Sequence, residues 1–189
     1  LANDLVKDKR RTFRALSTLF GEVNITKGLT FRSEFHTEFR NWERNYFVPS
    51  SFPDAWSTTR SMGLNNLTSR LYWNSQTFLT YNRTFEKHSV NAILGYSAEE
   101  SSDRSTYISK YDYPTDRVPT LNQAITLSNA QNDARTNRSS ETMIGSFARL
   151  MYNFNGKYYF TGSVRRDGSS KFGADKKWGI FPSFSAAWR

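Results

Sequence analysis

Residues 29–40 read LTFRSEFHTEFR, and the bulky apolar side chains of this stretch occupy odd-numbered positions only. One face takes the apolar members, which are Leu29, Phe31, Phe35 and Phe39. The opposite face takes the polar members, which are Thr30, Arg32, Glu34, His36, Glu38 and Arg40. A period of two predicts a β-strand with one apolar and one strongly polar side.

The preceding stretch, from Thr12 to Ile25, alternates in the same way. Its apolar face holds Phe13, Ala15, Leu19, Val23 and Ile25. Because the predicted apolar faces are odd-numbered on both strands, they match only if the intervening loop has an odd length. Thr26-Lys27-Gly28 meets this condition, with Gly28 in the left-handed position of a three-residue hairpin loop. Residues 1–10 are polar and are expected to form the end of a loop.

Five further strands are predicted from the same pattern, and their connections differ greatly in length. The second strand ends near Tyr46, and the later strands cover about residues 67–82, 88–100, 141–153, 157–166 and onward from Ile180. Short turns are predicted at 84–87, of even length, and at 154–156, of odd length. Long connections are predicted at 48–66, 101–140 and 167–178. Short and long connections therefore alternate along the chain.

Composition argues against several classes of protein. The 189 residues include no cysteine and only two well-separated histidines, so neither a disulfide framework nor a thiolate or histidine metal site is expected. The net charge is +9, but basic residues are scattered among acidic ones and cluster only in KDKRR at 7–11, so no nucleic-acid partner is expected. Mean hydropathy is −0.69, a polar value that alternating barrel strands can also produce.

Tight turns that alternate with long connections are typical of a bacterial outer-membrane barrel. In such barrels the tight turns are periplasmic and the long connections face outward. About seven strands are too few to close a barrel of this kind, so we expect the chain to be a piece of one. Aromatic girdles mark the membrane interfaces, and the candidate members are Trp42, Tyr46, Tyr81, Phe154, Tyr158 and Trp188.

The segment Ser163–Arg189 reads SVRRDGSSKFGADKKWGIFPSFSAAWR. It resembles the barrel signature of the SusC/RagA family of TonB-dependent outer-membrane transporters. The matching residues are Arg165, Asp167, Gly168, Ser169, Ser170, Phe172, Gly173, Trp178, Gly179, Phe181, Pro182, Ser183 and Trp188. Lys171 and Lys177 stand where arginine is commoner in the family, and Ala187 stands where glycine is commoner.

This resemblance implies an all-β fold, an antiparallel up-and-down transmembrane β-barrel of 22 strands with a plug domain in its lumen. Residues 1–189 would then be a partial barrel domain of about seven strands, without the plug domain and the C-terminal strands. The implied function is active import of glycan oligosaccharides or peptides across the outer membrane of a Gram-negative cell. The implied partners are outer-membrane lipid, a SusD-like surface lipoprotein that acts as a lid, and the TonB complex, contacted through the missing N-terminal region. No cofactor is implied, and the substrate's identity stays open.

Polar faces of the strands predict which side chains would line the lumen. These lumen-facing candidates are Arg32, Glu34, His36, Glu38, Arg70, Asn74, Arg149 and Arg165. For the family signature we predict a structural role at the strand end, because Asp, Gly and Ser form turns with their own backbone. Three loop tyrosines are candidates for stacking on a ligand, with packing inside the loop as the alternative, and these are Tyr107, Tyr111 and Tyr113.

Motifs of catalysis are not found, so the chain is not expected to be an enzyme. The aspartates at 103, 112, 116 and 133 suggest calcium, but their spacing fits no EF-hand loop, so no metal site is predicted. Two alternatives to the transporter remain. One is a passive porin or adhesin barrel. The other is a secreted carbohydrate-binding β-sandwich, which would bury Phe31, Phe35 and Phe39 between two stacked sheets.

Overall fold

A computed structural model describes residues 5–52, 60–125 and 133–189, and strands dominate it. The seven strands are β1 (Lys7–Thr26), β2 (Leu29–Val48), β3 (Met62–Phe85), β4 (His88–Tyr111), β5 (Asp133–Phe154), β6 (Tyr158–Ser169) and β7 (Trp178–Trp188). They form one up-and-down sheet in the order of the sequence, which confirms the predicted strand count and topology. Two short 3₁₀ turns, Leu121–Gln123 and Ala174–Lys176, lie in the connections. Within the described residues, no helix has the length and apolar character needed to cross a bilayer.

The chain folds as two compact units, each built from several separate segments. The first unit comprises Leu1–Ala15, Phe39–Leu71 and Ser102–Ser139. The second comprises Leu16–Glu38, Tyr72–Ser101 and Ser140–Arg189. The tight turns belong to the second unit, and the long connections that follow β2 and β4 belong to the first.

Strand register in the second unit follows the predicted parity. β5 and β6 are antiparallel, and Tyr152 lies opposite Phe160 while Ala148 lies opposite Val164. The β6–β7 pair continues this face with Tyr158 opposite Trp188. Even-numbered apolar residues therefore line up across all three strands, because successive side chains of a strand point to opposite faces.

The three tight turns differ in how closely they match the predicted loops. Lys27 and Gly28 alone separate β1 from β2, one residue fewer than in the predicted loop 26–28. Gly28 has φ +83°, the left-handed conformation predicted for it. Glu86 and Lys87 alone separate β3 from β4, an even-numbered turn as predicted. The third turn is odd as predicted, but it covers residues 155–157 instead of 154–156. Asn155 and Gly156 both have positive φ, and Lys157 N–H donates to Phe154 O at 3.0 Å, so the turn closes one residue later.

Several strands extend beyond their predicted ends. β1 begins at Lys7, where a loop was expected, and β3 begins at Met62 instead of residue 67. β4 runs to Tyr111 instead of residue 100, and β5 begins at Asp133 instead of residue 141. The reason is that residues 101–110 are polar on nearly every position of both faces, so hydrophobic alternation disappears while the backbone ladder continues.

Apolar side chains of β2 remain exposed on the sheet surface. Phe31, Phe35 and Phe39 are 39%, 44% and 38% exposed. Phe35 stacks on Trp73 of β3 with ring centroids 6.2 Å apart, as neighbours on one face of a sheet do. All strands of the described residues belong to a single sheet, so the β-sandwich alternative, which needs two stacked sheets around these phenylalanines, is wrong for this part of the chain.

Candidate functional site

The polar face of the second unit carries a network of paired charges on β1 and β2. Arg32 Nε donates to Glu34 at 2.5 Å, and Arg32 Nη1 donates to Glu22 at 3.2 Å. His36 Nε2 lies 3.1 Å from the second oxygen of Glu34, and His36 Nδ1 lies 3.0 Å from Thr18 Oγ1. These part-exposed side chains form a row of ion pairs and hydrogen bonds in which each group orients its neighbour.

A second polar cluster on β3 and β4 centres on the buried side chain of Asn74. Tyr72 Oη donates to Glu99 at 2.8 Å, and Asn74 Nδ2 donates to the same carboxylate oxygen at 3.2 Å. Gln76 Nε2 donates to Asn74 Oδ1 at 2.9 Å. Asn74 therefore positions its neighbours and offers little surface to a passing solute.

In the first unit, a cavity of about 440 Å³ is lined by Thr12, Arg40, Trp42, Thr68, Arg70 and Asp103. Arg70 grips Asp103 with two parallel bonds, from Nε at 2.7 Å and from Nη2 at 3.0 Å. The bidentate geometry fixes the guanidinium plane in the wall of a cavity that Trp42 also lines. An aromatic face next to a planar ion pair can contact sugar rings or peptide groups.

Two of the predicted girdle aromatics lie on the polar face instead. Trp42 lines the cavity together with Arg40 and Arg70, and so it is not directed at the apolar side. Tyr46 lies under the guanidinium of Arg44, at 4.9 Å, and Arg44 in turn donates to a carboxylate on β1. Both residues are even-numbered on a strand whose apolar side chains are odd-numbered, so parity already placed them with the charges.

A second cavity of the first unit, of about 380 Å³, is lined by Asn66, Thr68, Ser105, Tyr107, Arg135, Thr136 and Asn137. Tyr107 and Tyr111 are residues of β4, so their predicted placement in a loop is wrong. The Arg135 guanidinium lies 4.7 Å from the centre of the Tyr107 ring, which leaves this tyrosine as a cavity wall with one face covered.

Tyr113 has a packing role that corresponds to the alternative of loop-internal contacts. It is only 8% exposed, and its ring meets Phe47 edge-on at 5.1 Å. Its backbone N–H donates to Ser61 Oγ at 2.8 Å, and burial raises the pKa of its phenol. Because the ring is enclosed by protein, it offers no face on which a ligand could stack.

Near Tyr113, an ion pair joins a residue just before β3 to the residue after β4. Arg60 donates to Asp112 through both Nε, at 2.6 Å, and Nη2. The carboxylate of Asp112 raises the pKa of the Arg60 guanidinium above its usual value. Asp112 N–H also donates to Ser61 O at 3.0 Å. The start of β3 and the residues after β4 are thus fastened together.

The two charged residues of the family signature, Arg165 and Asp167, lie on β6 and pack against Gly145 of β5. Arg165 Nε donates to both oxygens of Asp167, at 2.8 and 2.7 Å. A Cβ at Gly145 would overlap the Asp167 carboxylate and lie within 3.1 Å of Arg165 Nη2. Arg165 also lies over the ring of Phe147 at 6.0 Å. The lumen-facing role predicted for Arg165 stays a prediction, because this ion pair would serve equally to pack β5 against β6.

Signature serines tie the β6–β7 connection to β5. Ser170 N–H donates to Thr142 O at 2.9 Å, and Thr142 N–H donates back to Ser170 Oγ at 2.9 Å. Ser169 N–H donates to Lys177 O at 3.0 Å. Trp178 lies against Gly168, and Arg166 lies 4.1 Å above its ring. These contacts support the structural role of the signature, which stays a prediction.

Two predicted lumen-facing residues remain, Arg149 and Glu38. Arg149 is exposed, with Ser163 opposite it across the β5–β6 pair, and Glu38 is a half-buried residue of β2. A pair that the sequence analysis missed is Phe78 and Phe147, whose rings meet at 6.1 Å. Phe147 is odd-numbered on a strand with an even apolar face, so strict parity would have placed it among the polar side chains.

Carboxylates considered for calcium are occupied by other donors. Asp103 accepts from Arg70, Asp112 from Arg60, and Asp116 from Ser50 at 3.2 Å. The side chain of the fourth, Asp133, lies outside the described residues. In the part of the chain that the structure describes, no group of three or more His, Cys, Asp or Glu side chains is arranged to hold a metal ion.

Comparison with known proteins gives one consistent class of relatives. No known family profile matches the chain. The TonB-dependent receptor P39 of Formosa agariphila is 29% identical over 176 residues, which cover 92% of this chain and 17% of that protein. SusC of Bacteroides thetaiotaomicron is 44% identical over 48 residues, 25% of this chain and 5% of SusC. The RagAB peptide transporter superposes with a TM-score of 0.88 at 20% identity, over 97% of this chain and 20% of that one.

The single up-and-down sheet, with one polar and one exposed apolar face, has the fold of a segment of a TonB-dependent receptor barrel. Among these proteins, the chain is similar to members of the SusC/RagA type. It spans less than a fifth of the length of the curated relatives that it matches.

Proposed function

We propose that the chain forms part of the barrel wall of an outer-membrane transporter that imports glycan oligosaccharides or peptides. Energy comes from the TonB complex, which is contacted through parts of the protein outside these residues, and a SusD-like lipoprotein acts as a lid on the cell surface. The apolar face of the sheet contacts lipid and the polar face lines the lumen. The tight turns are periplasmic, and the connections after β2, β4 and β6 face outward.

One observation carries this proposal, the two cavities on the polar side of the first unit. Their walls combine arginine, asparagine and threonine side chains with the rings of Trp42 and Tyr107. Such walls suit solutes that present both hydrogen-bonding groups and flat apolar faces, as sugar rings and peptides do. The names of the relatives support import, since they are called receptors and, for RagAB, a peptide transporter.

The transporter is distinguished from a passive porin by its need for energy. We expect uptake of a labelled oligosaccharide or oligopeptide by cells that carry the full-length receptor, and we expect deletion of the tonB gene to abolish it. Uptake that continues at an undiminished rate without TonB would contradict active transport and favour the porin. The same assay in cells without the SusD-like partner tests the lid.

Arg70→Ala is expected to weaken substrate binding by the full-length receptor about tenfold, equal to about 1.4 kcal/mol, because the cavity loses a cation and Asp103 loses its clamp. The pair is part exposed, so stability should change by only about 0.2–1 kcal/mol. Isothermal titration calorimetry with the transported oligomer measures the effect.

A matched control for this variant is Arg104→Ala. Arg104 is an exposed residue of β4 next to Asp103 and therefore points to the opposite face of the sheet. Arg104→Ala removes one positive charge, as Arg70→Ala does, at a position next to Asp103. We expect its substrate affinity to stay within twofold of that of the unmodified receptor. Equal losses in both variants would show that net charge, and not the cavity, determines binding.

A further inference from the structure

Tight turns of the second unit are strongly basic. Together with the residues that flank them, the three turns (26–28, 82–88 and 154–158) contain four cations and one carboxylate, that of Glu86. The cations are Lys27, Arg83, Lys87 and Lys157, and all four are exposed. We call these four side chains the basic rim.

Backbone hydrogen bonds hold the three turns side by side. Asn82 N–H donates to Gly28 O at 2.7 Å, which joins the first turn to the end of β3. Asn155 N–H donates to Lys87 O at 2.6 Å, which joins the second turn to the third. The cations of the rim are therefore carried on one continuous edge and are presented together.

Aromatic rings lie directly beside the cations of the rim. The Arg83 guanidinium lies 4.9 Å from the centre of the Phe85 ring, and Lys157 Nζ lies 5.5 Å from that of Tyr158. Phe154 stacks on Tyr158 with centroids 6.4 Å apart, and the ring of His88 lies 4.9 Å from Phe154. Tyr158 and Phe85 are both more than 40% exposed.

A ring of this kind separates two environments. Aromatic side chains prefer the boundary between hydrocarbon and water, and lysine and arginine lay their stems along apolar surface while the charged end reaches the headgroups. Four cations against one carboxylate complement a phosphate that carries net negative charge. A zwitterionic headgroup adds its own ammonium group next to these cations and is disfavoured.

We propose that the basic rim, with its neighbouring aromatic side chains, binds the phosphodiester headgroups of anionic phospholipids in the leaflet at the tight-turn end of the barrel. This inference rests on the membrane placement in the proposed function and adds a lipid specificity to it. Binding is electrostatic, so it weakens as salt concentration rises.

Native mass spectrometry of the full-length receptor tests the proposal. The receptor is equilibrated with an equimolar mixture of phosphatidylglycerol and phosphatidylcholine in micelles, and the retained lipids are counted. We expect the unmodified receptor to retain phosphatidylglycerol preferentially. Arg83→Gln, Lys87→Gln and Lys157→Gln combined should abolish this preference, with roughly a fivefold loss for each cation removed.

The matched control removes three lysines of the signature loop, as Lys171→Gln, Lys176→Gln and Lys177→Gln combined, and should keep the preference. Lys87→Arg with Lys157→Arg should keep it as well, and the single change Lys157→Gln gives a measurable loss if the triple variant does not assemble. Equal retention of the two lipids by the unmodified receptor would overturn the proposal. So would an equal loss in the control, or a rim variant that loses uptake while its lipid preference is unchanged, since the rim would then serve a protein partner. A receptor that still imports its substrate without any lipid preference would leave the proposed function intact and refute the rim.

Discussion

Gly28→Ala is expected to destabilise the folded receptor by about 3 kcal/mol or more. This is the larger of the two glycine-to-alanine effects that we predict. Gly28 has φ +83°, where an L-residue is strained, and a Cβ there would overlap the backbone oxygen of Asn82. Asn82 cannot move away without losing its N–H bond to Gly28 O. Denaturant unfolding of the full-length receptor in detergent measures the loss.

Gly156→Ala separates the two causes of this effect. Gly156 also has positive φ, +64°, but among the described residues no heavy atom beyond its chain neighbours lies within 4 Å of a Cβ placed there. This variant therefore carries the conformational cost alone, about 1–2 kcal/mol. If both variants were equally destabilised, the contact between the first turn and β3 would have no energetic importance.

Tyr113→Ala is expected to loosen the long connections of the first unit. The ring fills the space between Phe47 and Gly63, and its removal leaves a cavity that should cost about 3–5 kcal/mol. The effect should be local, because the surrounding core is small and consists mainly of Phe47, Val48 and Tyr113. Hydrogen–deuterium exchange of the full-length receptor should show faster exchange at Asp112 and Tyr113, whose N–H groups bond to Ser61.

Tyr113→Phe is the control for this substitution. The phenol oxygen is buried and has no hydrogen-bond partner among the described residues, so its removal should be neutral or slightly stabilising, by up to about 1 kcal/mol. Exchange should therefore stay slow in this variant. Fast exchange in both variants would mean that the hydroxyl, and not the ring, fastens the connections.

The odd or even numbering of the apolar residues predicted most of the fold. It predicted the left-handed conformation of Gly28, the even turn at 86–87 and the face shared by β5 and β6. It could not locate the strand ends next to the long connections, because polar side chains cover both faces of β4 beyond residue 100. There the strands are joined by backbone bonds and by ion pairs such as Arg70–Asp103, which leave no periodic hydrophobic signal.

The sequence predicted that the candidate site lies on the polar face of the sheet. It did not predict the two cavities on that face. The charged rows of β2 and β3 were visible in the alternation, but Arg135 comes from a segment expected to be a loop and meets Tyr107 only after β4 and β5 extend. Trp42 was assigned to an aromatic girdle at the membrane interface because aromatic residues are common there. Its even position, on a strand whose apolar face is odd-numbered, correctly indicates the polar face on which it lines the cavity.

The claim on which everything depends is that alternate side chains of β2 face hydrocarbon and water. Nitroxide labels on single cysteines test it directly, and this chain has no cysteine of its own. In the full-length receptor in bilayers, labels at Phe31 and Phe35 should collide with dissolved oxygen and be shielded from a polar nickel chelate. Labels at Glu34 and His36 should show the reverse. Equal accessibility to both reagents at all four positions would contradict the account.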